Sequence, residues 1–133
     1  MKTNTSQKNY FGLTFISTSE ETNGQYFLSE TTIPAGDNGP PPHVHTREDE
    51  GFYIVSGELT FLVNDKEIHL KTGDYLNIEK GEKHTWRNDS MSDTKLLVTF
   101  APAGIEGMFR ELDEDMTNIL EIGRKYGTEF LME

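Results

Sequence analysis

Between Tyr10 and Phe100 the chain alternates apolar and polar residues in short runs, each closed by Gly, Asn, Asp or Pro. The runs are "YFGLTFIS", "GQYFLSETTIP", "GFYIVSGELTFLV", "KEIHLKTGDYLNI", "KHTWRN" and "TKLLVTFAP". Closely spaced strands with turn signals and no intervening helix predict an all-β antiparallel sandwich or barrel. After Pro102 the spacing becomes helical: Met116, Ile119, Leu120, Gly123 and Tyr126 recur on one face, with Asp115 as an N-cap and Gly127 where a terminating glycine belongs. A shorter helical piece around Ile105 to Leu112 precedes it. The organisation expected is a loose polar N-terminus over residues 1–9, a barrel over 10–102 and a helical extension over 103–133. The extension is expected to pack on the outside of the barrel, with a lid over its mouth as the functional alternative.

Side-chain direction follows from the period of two. "SGE" reads as a tight turn between Tyr53–Val55 and Leu59–Val63. With a turn of even length, one face carries Glu50, Phe52, Ile54, Leu59, Phe61 and Val63, and the other Gly51, Tyr53, Val55, Thr60 and Leu62. The first face is apolar except at Glu50, which makes it the interior. A carboxylate there is costly unless paired or bound to a cation, or unless it reaches water at the rim. Glu48 and Asp49, ahead of the strand, read as solvated.

Composition narrows the partners. The net charge is −11, from 23 acidic and 12 basic residues, which excludes nucleic acid and anionic membrane as partners. No cysteine is present, so thiolate sites and disulfides are excluded. The start of the chain lacks a signal-peptide core, and the expected location is cytoplasmic.

The four histidines then change the reading of Glu50. His43 and His45 share a face of an extended segment stiffened by Pro40, Pro41 and Pro42, and His84 lies on a later strand. With Glu50 they supply the ligand types of a divalent transition-metal site. His69, between the inward Ile68 and Leu70, points outward and reads as exposed.

These residues resemble the cupin superfamily. His43, His45, Glu50 and Gly57 fit its first motif. Gly73, Gly81, His84 and Asn88, in "GDYLNIEKGEKHTWRN", fit its second. Glu79 stands where the family usually has proline, and Gly36 lies one residue farther from His43 than the family's glycine, which implies a small loop insertion near the prolines. The look of "HVHTREDEGFYIVSGELTF" and "RKYGTEFL" is similar to small single-domain cupins related to quercetin dioxygenase.

The resemblance implies a double-stranded β-helix barrel, often dimeric. It implies one divalent ion (iron, manganese, nickel, cobalt, copper or zinc) on His43, His45, Glu50 and His84. It also implies a small-molecule ligand and oxidative cleavage of a small enol or flavonol-like substrate, with Glu50 as ligand, proton acceptor or both. Phe52, Ile54, Phe61, Trp86 and Asn88 are the expected pocket residues. A non-catalytic metal- or ligand-binding module and a metal-dependent sugar isomerase or epimerase are the competing readings. The outward apolar residues Tyr53, Val55 and Leu62, with "KLLVTF" apolar on both faces, predict a homodimer.

Overall fold

A computed structural model of the chain describes residues 1–132; the last residue of the expected extension, Glu133, lies outside the described residues. The strands are β1 (Asn9–Tyr10), β2 (Leu13–Ser17), β3 (Phe27–Ile33), β4 (His43–His45), β5 (Asp49–Ser56), β6 (Glu58–Val63), β7 (Lys66–Lys71), β8 (Tyr75–Ile78), β9 (His84–Arg87), β10 (Thr94–Ala101) and β11 (Thr128–Phe130). The helices are α1 (Ser19–Thr22), α2 (Glu106–Glu114) and α3 (Ile119–Lys125). They form two antiparallel sheets, ordered β1-β2-β3-β10-β5-β8 and β11-β4-β9-β6-β7. No helix among the described residues is long and apolar enough to cross a membrane.

The core lies between the sheets. Phe52 and Ile54 of β5 meet Val98 and Leu96 of β10 across the ladder, and all four are buried. Leu59, Phe61 and Val63 face them from the second sheet. The period-two assignment of inward residues therefore holds on both strands.

The connection between β5 and β6 does not hold as expected. These strands belong to different sheets, so "SGE" is a corner where the chain crosses from one sheet to the other. Gly57 makes the corner feasible: its φ is +102°, and a Cβ there would sit 2.7 Å from Thr94 Oγ1. Gly57 alone separates the two strands, and Ile54 and Leu59 both face the interior although β5 and β6 lie in different sheets. Thr60, assigned outward, is buried, because its hydroxyl packs 3.0 Å from His69 Nδ1 on the neighbouring β7.

Both termini differ from the sequence expectation. The first residues are tied to the sheet: Asn4 Nδ2 donates to the Phe15 and Ile16 carbonyls, and the Phe15 N–H donates to Lys8 O. In the tail, Asp115 closes α2 rather than capping the next helix, and Asn118 precedes α3. The Asp115 carboxylate instead accepts the Thr117 N–H. The chain then returns to the barrel as β11, paired with β4.

Candidate metal centre

Cross-strand register gathers the histidines. His43 and His84 are direct partners between β4 and β9, and Phe130 and Thr128 of β11 stand opposite His43 and His45. Direct partners in an antiparallel pair point to the same side, so one row of the sheet presents Phe130, His43 and His84 to the interior. The proline run reaches this position because Gly39 lies flat on β9; a Cβ on Gly39 would be 1.6 Å from the Trp86 carbonyl oxygen. Thr85 Oγ1 then donates to Pro40 O at 2.7 Å. Glu50 arrives from the facing sheet, where its partners are Phe100 and Ile78.

The four side chains are buried and offer ligand atoms that all lie within 4.8 Å of one another. His84 Nε2 is 3.0 Å and His45 Nε2 is 3.2 Å from Glu50 Oε1. The outer nitrogens are held as well. His43 Nδ1 donates to Pro41 O at 2.9 Å and His84 Nδ1 to Glu82 O at 3.0 Å, while His45 Nδ1 is 2.8 Å from Thr128 Oγ1. Fixing Nδ1 as N–H leaves Nε2 as the nitrogen with a free lone pair and sets the ring's direction. Three imidazoles so oriented, plus one carboxylate, fit a divalent transition metal by donor chemistry and spacing.

Burial and mutual contact set the charge preferences of these groups. Burial alone pushes the Glu50 carboxyl up, but the hydrogen bonds and charges of His45 and His84 prevail and hold it down at about 2. His84 is pushed down by burial and raised above its ordinary value by Glu50. His43 is lowered to about 3, by burial first and then by the neighbouring His84 and His45. Contact with the two imidazoles thus favours a charged Glu50, and burial disfavours a proton on His43. Glu48, expected in solvent, is 4% exposed, and burial raises its carboxyl above the ordinary range.

A cavity of about 190 Å³ opens beside the cluster, lined by His43, His45 and Glu50 at one end. Of the expected pocket residues, Phe52 and Trp86 line it. The Trp86 ring stands 5.8 Å from that of His43. Ile54, Phe61 and Asn88 do not. Ile54 and Phe61 are fully buried in the core, Phe61 behind Phe52 and Trp86. Asn88 shares parity with His84 only while the strand continues, and β9 ends at Arg87. Its amide instead donates to Ile33 O and Ser92 O, stapling the loop before β10. His69 is exposed and takes no part in the cluster.

Sequence reasoning missed Thr128 and the cavity wall of Met108, Phe109, Leu112 and Phe130. The tail's helical spacing concealed that "TEF" is a strand. Its β-branched and aromatic residues directly after Gly127 were the available signal.

Residues 29–100 match the family model described as "Cupin domain". The quercetin 2,3-dioxygenase of Bacillus subtilis is 30% identical over 99 residues, which cover 74% of this chain and 29% of that protein. The oxalate-binding protein of Thermotoga maritima is 36% identical over 56 residues, 42% of this chain and 46% of that protein. The chain thus spans under half the length of these curated relatives. Among solved structures, a predicted oxalate decarboxylase from Thermotoga maritima superposes with a TM-score of 0.64 at 25% identity, covering 68% of this chain and 78% of that one.

Proposed function

The chain belongs to the cupin family, and from that premise we propose that it is a divalent-metal oxygenase that cleaves a small enol or hydroxy-ketone. The observation that carries the reading is the buried convergence of His43, His45, His84 and Glu50 at the polar end of an otherwise apolar cavity. These four residues would hold the ion, which would supply Lewis-acid polarisation of a chelating substrate's oxygens. Glu50 contributes the negative charge that compensates the site and accepts the enol proton at a carboxylate oxygen. The three Nδ1 partners keep the imidazoles from swinging out of position. Phe52, Trp86 and the remaining wall hold the substrate's body and exclude water from the reacting end.

The test is oxygen uptake by protein loaded with each of iron, manganese, nickel, cobalt and copper in turn, against a panel of enols and flavonols. Uptake with at least one pair, reduced at least about tenfold in Glu50→Gln as loss of a positioned proton acceptor requires, supports the reading. A Glu50→Gln protein at full rate removes that residue from the chemistry. Metal and ligand binding without uptake favours a non-catalytic binding module, the reading supported by the likeness to an oxalate-binding protein.

We also propose a homodimer through the outer face of the six-stranded sheet. Leu97, Tyr53 and Tyr75 are aligned across β10, β5 and β8, and Tyr53 and Tyr75 are 40% and 60% exposed. Light scattering that gives a monomer mass at micromolar concentration contradicts this.

A further inference from the structure

We infer that the cavity takes a ligand with one chelating end and an uncharged hydrocarbon body, and that the chain segments flanking the matched cupin region select that body. The inference rests on the metal-binding reading above and adds the class of molecule the site accepts.

The cavity has two unlike ends. At one, His43, His45 and Glu50 present polar atoms. Over the rest, the wall is hydrocarbon: Leu96 and Val98 from β10, Met108, Phe109 and Leu112 from α2, and Phe130 from β11. Among the described residues lining it there is no Lys, Arg, Asn or Gln; beyond the cluster, the polar groups are the Thr31 hydroxyl and the Trp86 indole N–H.

A second carboxylate or a phosphate on the ligand would face hydrocarbon with no cation to pair it, which costs several kcal/mol for a buried charge. The net charge of −11 further disfavours a multiply charged anion. A sugar would leave its hydroxyls without partners. An aliphatic or aromatic body loses nothing on entry and gains in proportion to the apolar surface removed from water. Oxalate, a chelating head with no body, therefore leaves most of this cavity unused.

The wall has two origins: part of it, including Phe52, Trp86, Leu96, Val98 and Phe100, lies within the matched stretch, and the remainder comes from the flanks. The four cluster residues all fall within the matched stretch, residues 29–100. Met108, Phe109, Leu112 and Phe130 come after that stretch, and Phe11 and Leu13 come before it. Substituting these apolar side chains leaves the hydrogen bonds of the polar end in place; within the same tail it is Thr128 that holds His45 Nδ1.

The experiment is titration calorimetry on protein loaded with nickel(II), its metal content measured beforehand. The probes are acetohydroxamate, butanohydroxamate and hexanohydroxamate, which share one monoanionic chelating head on bodies of increasing length, together with oxalate. Each methylene buried in the wall should tighten binding about fourfold, so hexanohydroxamate, with four more methylenes, should bind about 250-fold tighter than acetohydroxamate. Oxalate should bind more weakly than hexanohydroxamate.

Phe109→Ala and Phe130→Ala should each lower the hexano-to-aceto affinity ratio by about tenfold, as expected for loss of an apolar contact surface. Melting curves identify a variant that has not folded, and the other variant then decides. A flat series, or oxalate binding tighter than hexanohydroxamate on metal-loaded protein, overturns the inference and leaves the metal reading intact. Protein that carries no ion sinks the metal reading, and the inference with it.

Discussion

His43, His45, Glu50 and His84 stand on three interior strands, and every imidazole among them has its Nδ1 held by a partner from the same chain. Met108, Phe109, Leu112 and Phe130 make a wall of the same cavity with apolar side chains that carry no hydrogen-bond donor. The polar end depends on placing single atoms, because a misdirected nitrogen is a lost ligand and an unpaired buried group. The wall depends on area and volume, and tolerates exchange at constant size. One cavity therefore has a part in which single substitutions are decisive and a part in which they are graded.

The largest effect expected from breaking the polar end is loss of the ion. His84→Ala should lower metal content by more than about a hundredfold in affinity, beyond the 10–100-fold range for losing only a partner of a ligating histidine. His69→Ala should leave it unchanged, since that ring is exposed and, among the described residues, pairs with Thr60 and Glu58 alone. Elemental analysis after dialysis against equal metal separates them, and equal loss from both contradicts the assignment.

The next effect sharpens the boundary between the two parts. Thr128 lies in the tail but bonds the polar end through His45 Nδ1. Thr128→Val keeps its shape and removes the hydroxyl, so metal affinity should fall by about tenfold or more with little change in melting temperature. Unchanged affinity would confine β11 to the wall.

Acidification probes the polar end in metal-free protein. His43 takes a proton at 6.5 when unfolded and resists it down to about 3 when folded, and Glu50 is held at about 2 against 4.5. Below pH 6.5 the unfolded chain therefore binds more protons, and stability should fall by a few kcal/mol between pH 6.5 and 3. The raised His84 contributes stability that is complete below 6.5 and is lost as pH rises through its folded value. Thermal melts of metal-free protein should thus be highest near pH 6.5, and His43→Gln should flatten the acid side. A curve that rises on acidification contradicts the burial of a neutral His43.

The smallest effect falls outside the cavity. Proline at position 79 would preset the turn, worth about 0.5 kcal/mol, but the Glu79 N–H donates to Glu82 Oε1 at 2.9 Å. Glu79→Pro should therefore change stability by less than about 1 kcal/mol, because the two contributions oppose. A larger gain would show that the hydrogen bond contributes nothing.

The same division explains what the sequence made legible. The inward row from Glu50 to Val63 and the exposure of His69 could be read because a period of two leaves each residue only one of two faces. The cluster could be read because its residue types are costly in any other interior role. The crossing at Gly57 could not: a glycine-centred turn signal is the same for a hairpin and for a step between sheets. Asn88 was misplaced because parity lapses where β9 ends, one residue earlier. The wall was invisible because Met108 and Phe109 look like any amphipathic helix, and because the return of β11 onto β4 is what brings Phe130 to the cavity.

The central claim is that one divalent ion sits at the polar end of this cavity, beside the chain's single tryptophan. Trp86 lines the cavity with its ring 5.8 Å from that of His43. Titration with copper(II), an open-shell ion, should quench Trp86 emission strongly and saturate at one equivalent per chain. Zinc(II), with a filled d shell, should bind with far less quenching. Copper(II) binding that saturates while Trp86 emission stays unchanged, or quenching that survives in His84→Ala, would contradict the account.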